Sequence, residues 1–310
     1  QAGGAALSAV SSTQQAAELR EDGLRSRRPP RGTAALVVTP FFVYTFAFLL
    51  LPSASVLVGA FQTEQGGFTL ANLAALLQGQ YLQAYLNSLQ ISAATALAGG
   101  LFGLLMAYAA LSPGSPRWIR PVLTTFSGVA ANFAGVPLAF AFIATLGTTG
   151  FLTRLLKDAG LDLYGSGFTL FSFTGLALTY LYFQIPLMIL VIAPTIDGLR
   201  REWREAAENL GATGAQYWRF IGLPVLLPSL LGAMVLLFGS AFAAYATPYA
   251  LTSGVISLVP MQIGNVLQGN VLTDPHLGQA LAFGMIMVIA VSMWLYAVLQ
   301  QRTARWSRER

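Results

Sequence analysis

The residues that could carry bond-making chemistry are few and scattered. The chain has one His, His276, one Lys, Lys157, and no Cys. Counting alone excludes a disulfide framework and a structural zinc site of the Cys/His type. Lys157 is followed by Asp158 and lacks the G-x-x-x-x-G-K-S/T frame that cradles nucleotide phosphates. His276 stands in TDPHLG with no nucleophile or acid at a useful spacing, and reads as structural or solvated rather than catalytic. One charged, helix-prone stretch stands between two long apolar segments, REAAENLGATGAQYWRFIGLPVLLPS from Arg204 to Ser229. Arg201 and Glu205, and Arg204 and Glu208, are four apart, a spacing that pairs charges on one helix face. Such a surface suits recognition of another protein by ion pairs and hydrogen bonds.

The rest of the chain explains where that surface must sit. It is 55% hydrophobic and 9% charged, against about a quarter charged in soluble domains. Charges fall in clusters, and a membrane helix needs about 20 apolar residues. Six charge-free stretches are long enough, placing spans near 34–61, 85–111, 119–146, 169–196, 223–251 and 280–300. Fifteen of the seventeen basic residues flank these spans on one side; only Arg154 and Lys157 lie on the other. The positive-inside rule then expects both termini and the charged island in the cytoplasm. The basic pI thus reflects topology, and no nucleic-acid partner is expected. Residues 1–31 read as a disordered cytoplasmic tail, 32–301 as a six-helix membrane domain with a cytoplasmic loop at 197–223, and 302–310 as a second tail. Apart from Arg120 at the edge of the third, the spans contain no Asp, Glu, Lys, Arg or His, which weighs against an ion-driven carrier. A carrier or channel subunit stays as the alternative, because sodium can be held by carbonyls.

Within the island, Arg200 to Leu210 is rich in helix formers, and Gly211 offers a stop or a turn. A second helical piece is expected from Ala212 to Ile221, with Pro224 in the first turn of the fifth span. On pattern alone, an amphipathic interfacial loop fits equally well. Polar residues inside spans, Asn132, Tyr182, Gln184, Tyr245 and Thr247, are candidates to line a solute path. For each, packing or interhelical hydrogen bonding is the favoured alternative. Gly99, Gly100 and Gly103 are expected to permit close helix packing. Leu152, Leu155, Leu156 and Ala159 share one face of an outward interfacial helix.

Glu205-Ala206-Ala207, Gly211, Ile221, Leu223 and Pro224 match every fixed position of E-A-A, three residues, Gly, nine residues, I-x-L-P. This resembles the cytoplasmic signature of ABC importer permeases, and it lies between the fourth and fifth spans as it does there. YLNSLQIS at 85–92, TYLYFQIPLMIL at 179–190, ATPYALTSG at 246–254 and HLGQALAFG at 276–284 are similar to stretches of polyamine-type permeases. The resemblance implies an all-α, type I ABC importer permease fold in a bacterial inner membrane. It implies a non-catalytic transport subunit that binds no cofactor or metal, with ATP and Mg in separate ATPase subunits. The expected partners are those ATPases, a second permease (a heterodimer rather than a homodimer), a periplasmic or lipid-anchored binding protein, and membrane lipid. The helix bearing Glu205–Ala207 would couple to the ATPase. The cargo would be a small solute of the polyamine, aminophosphonate, ferric iron or thiamine-like group.

Overall fold

The computed structural model describes residues 31–63, 65–111, 115–268 and 275–306, with side chains from 38 to 301. The expected tail at 1–31 falls almost wholly outside the described residues. So do residues 307–310 of the second tail.

The chain divides into a unit ending at Ser55 and a larger unit from Val56 onward. In the first, α1 (Arg31–Thr45) carries Pro40 inside it and runs through a π turn at Phe46–Leu50 into α2 (Leu51–Gly59). The N–H of Leu51 reaches back to the carbonyl of Phe46, and Pro52, which has no N–H, follows at once. The wider turn takes up the register that proline cannot complete.

The second unit continues with α3 (Ala71–Leu76), α4 (Gly79–Leu111), α5 (Ile119–Asn132), α6 (Val136–Leu146), α7 (Phe151–Asp158) and α8 (Phe173–Asp197). Next come α9 (Arg201–Asn209), α10 (Gly214–Tyr217), a π turn (Trp218–Gly222), α11 (Leu223–Phe242), α12 (Ala246–Thr252), α13 (Val259–Gln268) and α14 (Pro275–Trp306). Among the described residues six helical stretches are long and apolar enough to cross a membrane; the third is Val136–Asp158, α6 with α7, and not the expected 119–146, because α5 has only 14 residues. The fold is all-α, as expected, and the C-terminal helix extends to Trp306.

The hub is α8, which packs against α4, α5 and α11. Ser172 caps it, its hydroxyl accepting from the N–H of Gly175. Small residues let α4 approach it. A Cβ at Gly99 would lie 2.8 Å from the Cβ of Gln184, and one at Gly103 would lie 2.6 Å from that of Met188. Gly100 gives the same room to Met234 on α11. The expected role of these three glycines, close helix packing, is therefore met. Every buried polar side chain among the described residues is a Ser, Thr or Gln.

Two expected spans are not single helices. The stretch at 119–146 breaks after Asn132 and resumes at Val136. The break turns on Gly135, whose φ of 78° and ψ of −149° are open essentially to glycine alone. Pro137 then opens α6, where its missing N–H costs nothing. The stretch at 223–251 breaks between Phe242 and Ala246. Hydropathy counts apolar residues and is blind to such dihedral changes. The helix expected over 152–159 forms as α7, but of its residues only Thr153 is buried; Leu152 and Leu155 stay exposed, so its apolar face is uncovered by this chain.

Candidate functional site

The charged island is built by local hydrogen bonds. In α9, the guanidinium of Arg201 donates to Glu205 at 2.8 Å and that of Arg204 to Glu208 at 3.0 Å. The Glu208 carboxylate holds the Arg204 guanidinium charged above its ordinary range. The helix ends in a Schellman stop. Gly211, at φ 79°, donates its N–H to Glu208 O, and Ala212 donates to Ala207 O, both at 2.9 Å. The Thr213 hydroxyl then accepts from the N–H of Gln216 while the Gln216 side chain accepts from the N–H of Thr213, a capping box that restarts the helix.

This differs from the expected helix–turn–helix in one respect. The second piece is not separate from the fifth span. It starts at Gly214, not Ala212, and runs into α11 through the π turn, where the N–H of Leu223 bonds to Trp218 O. Pro224 follows that turn just as Pro52 follows the first one, for the same reason. The matched positions therefore serve two places. Glu205, Ala206 and Gly211 are exposed on the island. Ile221, Leu223 and Pro224 sit at the root of α11. Ala207 faces inward, only 7% exposed, and its small side chain keeps α9 close to the body.

Sequence reasoning missed what seats the island. Trp218 stands edge-on to Tyr108 at the end of α4, ring centroids 4.9 Å apart. Gly222 makes room for it, since a Cβ there would lie 2.7 Å from the indole. Arg120 at the start of α5 pairs with Asp197 at the end of α8, joining the two loops that flank the island's base. Both ends are partly exposed, so the pair fixes geometry more than it adds stability. Apolar groups meanwhile stay uncovered: Leu210 is 87% exposed, and Trp203 and Phe220 are exposed beside Arg200 and Arg219.

The five polar span residues do not form one site. Thr247, 3% exposed, fastens the two helix breaks together: its hydroxyl accepts from the N–H of Gly135 at 2.8 Å and faces the same residue's carbonyl at 3.3 Å. Gln184 is buried and donates to the Thr95 hydroxyl across the α4–α8 contact at 3.0 Å. Neither faces open space in this conformation. Tyr182 is half-buried among Phe133 and Phe142. Tyr245 stacks on Tyr249 and packs against Gly264. Asn132 is exposed at the end of α5. Its side-chain amide donates to Gly128 O on the same helix, and its backbone carbonyl accepts from the N–H of Ala134.

The end of the bundle opposite the island is tied by side chains to backbone across long separations. Tyr85 donates to Leu281 O and Asn87 to Ser257 O, while Ser88 accepts from the N–H of Val259. His276 bonds through Nδ1 to Gly59 O, which makes it structural. The stretches at 85–92 and 276–284 are thus anchors of the fold.

The chain is 25% identical over 269 residues to the spermidine/putrescine transport system permease protein PotB of Haemophilus influenzae, covering 84% of this chain and 92% of that one. It is 25% identical to the sulfate transport system permease protein CysW of Synechococcus elongatus, covering 86% and 89%. Its fold matches a bacterial ABC transporter involved in import of the acidic polysaccharide alginate, with a TM-score of 0.68, 18% identity, and 92% and 99% of the two chains covered. The family model for the binding-protein-dependent transport system inner membrane component matches residues 99–305, about two thirds of the chain. That range takes in the hub helix, both helix breaks and the whole island, and the chain belongs to this family of ABC importer permeases.

Proposed function

We propose that this chain forms half of the translocation path of an ABC importer, paired with a second, non-identical permease, and that α9 is its contact with a separate ATPase subunit. One observation carries the reading: the charged element between the fourth and fifth expected spans is a locally hydrogen-bonded helix whose outer face is left open. Glu205 and Ala206 present a small, charged surface, Leu210 adds an apolar contact, and Gly211 keeps side-chain bulk away from the turn. A partner that closes on ATP would push α9 as a lever. Because α10 runs unbroken into α11, and Trp218 rests on α4, the push would reach the spans as rotation of rigid helices. ATP and Mg belong to the partner. Both termini and the island face the cytoplasm, in accord with the basic residues. Family membership sets aside the carrier or channel alternative.

Asn132 and Tyr245, beside the two breaks and incompletely buried, are the proposed lining of the path. Gln184 and Thr247 act as fasteners, and Tyr182 as packing beside the path. A path without ionised side chains holds its cargo weakly, so selection falls to a binding protein on the outer side. Among the relatives named above, a polyamine and sulfate are the cargoes; a polyamine agrees with the stretches at 179–190 and 246–254 and stands first. The test is to co-express the chain with its neighbouring genes and measure ATP hydrolysis with binding proteins loaded with spermidine, putrescine or sulfate. Stimulation by one loaded protein is expected. Absence of any associated ATPase would overturn the reading.

A further inference from the structure

Ser92 and Thr95 on α4 and Tyr180 and Gln184 on α8 make a polar cluster inside the hub. Ser92, Tyr180 and Gln184 are wholly enclosed, and Thr95 is nearly so. The Gln184 side chain lies over Gly99 and donates to the Thr95 hydroxyl at 3.0 Å. Gly99 against Gln184 and Gly103 against Met188 set one parallel register. A turn or two earlier on both helices, that register puts Ser92 and Thr95 level with 177–180. The cluster falls where the apolar group of Ile91 and Leu176 gives way to that of Ala96 and Met188. Thr95 donates to Ile91 O at 2.7 Å, the usual way for a helical hydroxyl in apolar surroundings to be satisfied, and Thr179 and Ser292 do the same with Gly175 O and Val288 O. Ser92 does not. Its Oγ has no partner among the described residues, and neither do the Tyr180 hydroxyl and Gln184 Oε1. Buried polar groups in folded proteins are met by other protein groups or by ordered water, because a bare one costs as much as a lost hydrogen bond. These three complement one another: Oε1 only accepts, while the two hydroxyls both donate and accept. None of the four side chains is ionised, so the ligand they suit is small and neutral, and a water needs two to four such partners.

We infer that α4 and α8 enclose bound water in this cluster, hydrogen-bonded to Ser92 Oγ, Tyr180 Oη and Gln184 Oε1. The hub joint is then wet over about two turns and dry beyond them, where Gly103 lies directly on Met188. The site is independent of the cargo and of the ATPase contact.

The experiment is radiolytic hydroxyl-radical labelling of the assembled transporter, read by peptide mass spectrometry. An enclosed ring takes up oxygen only where a water is held beside it. Phe242, an aromatic ring only 1% exposed, is the dry control. Tyr180 is expected to be labelled about an order of magnitude faster than Phe242. Ser92→Val, which puts a methyl group in place of the hydroxyl, should bring Tyr180 down to the level of Phe242. Ser92→Ala should give a severalfold loss if the valine variant fails to assemble. Melting supplies an independent sign. Removing a hydroxyl that has no partner leaves stability unchanged or raises it, whereas removing one bonded to water lowers it. Ser92→Ala and Tyr180→Phe are each expected to melt a few degrees lower. Tyr180 labelling no faster than that of Phe242 would overturn the site. Labelling untouched by both Ser92 variants would overturn it too, by tracing the oxygen to bulk water, and so would a Ser92→Ala variant that melts no lower than the parent.

Discussion

The island at 200–223 and the joint between Gly135 and Thr247 solve opposite problems. The island is held by bonds between residues three to five apart, and apart from Ala207, Tyr217 and Trp218 most of its surface is left open. The joint is held by one threonine reaching across 112 positions, and it is almost wholly enclosed. The first is shaped in advance for a partner; the second keeps two broken helices in register so that they can move together. Stability and coupling should therefore separate cleanly by mutation.

The largest expected effect is at the joint. Thr247→Val keeps the shape and removes both hydrogen bonds, leaving the partly buried Gly135 N–H without its partner at a cost of about 1 kcal/mol. The permease should melt at lower temperature and transport poorly, yet retain its ATPase; a variant that melts normally would dissolve the distinction. Gly211→Val comes next. A β-branched residue at φ 79° costs about 1–2 kcal/mol, unwinding the Schellman stop. ATPase retention on purification should fall about tenfold, with membrane insertion unchanged. Glu205→Lys removes a helix pair worth only about 0.3–0.5 kcal/mol. Folding should thus be untouched while ATPase association or coupled hydrolysis drops severalfold; normal coupled transport would remove Glu205 from the contact.

The smallest effect lies in the turn that follows α7. The N–H of Gly165, with Lys157 nearby, holds the Asp162 carboxyl below the ordinary carboxylate range. A depressed folded pKa stabilises above the unfolded value, near 3.9, and the gain is lost as pH falls through the folded value. Asp162→Asn should therefore lower thermal stability slightly at neutral pH, and the difference should vanish in strong acid. A difference that grows on acidification would reverse the assignment.

The same contrast governs what could be read without a structure. The ion pairs of α9, the stop at Gly211 and the apolar lengths of the spans follow from spacing, so the island and the fold class were legible. The π turns were half legible. Pro52 and Pro224 announce a missing hydrogen bond but not whether a kink, a helix start or a wider turn absorbs it. The break at Gly135 was hidden in an apolar run rich in Gly and Ala, and that at Ala243–Tyr245 carries no Gly or Pro. Thr247 was singled out for polarity, but its role depends on a residue 112 positions away. Ser88, Asn87 and His276 belong to the same class: their stretches were conspicuous, their partners were not.

The chain contains no cysteine, so single cysteines report without background. The decisive measurement is maleimide labelling of Ala206→Cys and Ala207→Cys, in the permease alone and in the assembled transporter. The account predicts that Ala206→Cys reacts in the free permease and is protected by the ATPase, whereas the buried Ala207→Cys reacts slowly in both. Equal labelling of Ala206→Cys with and without the ATPase would contradict the claim that α9 is the coupling contact.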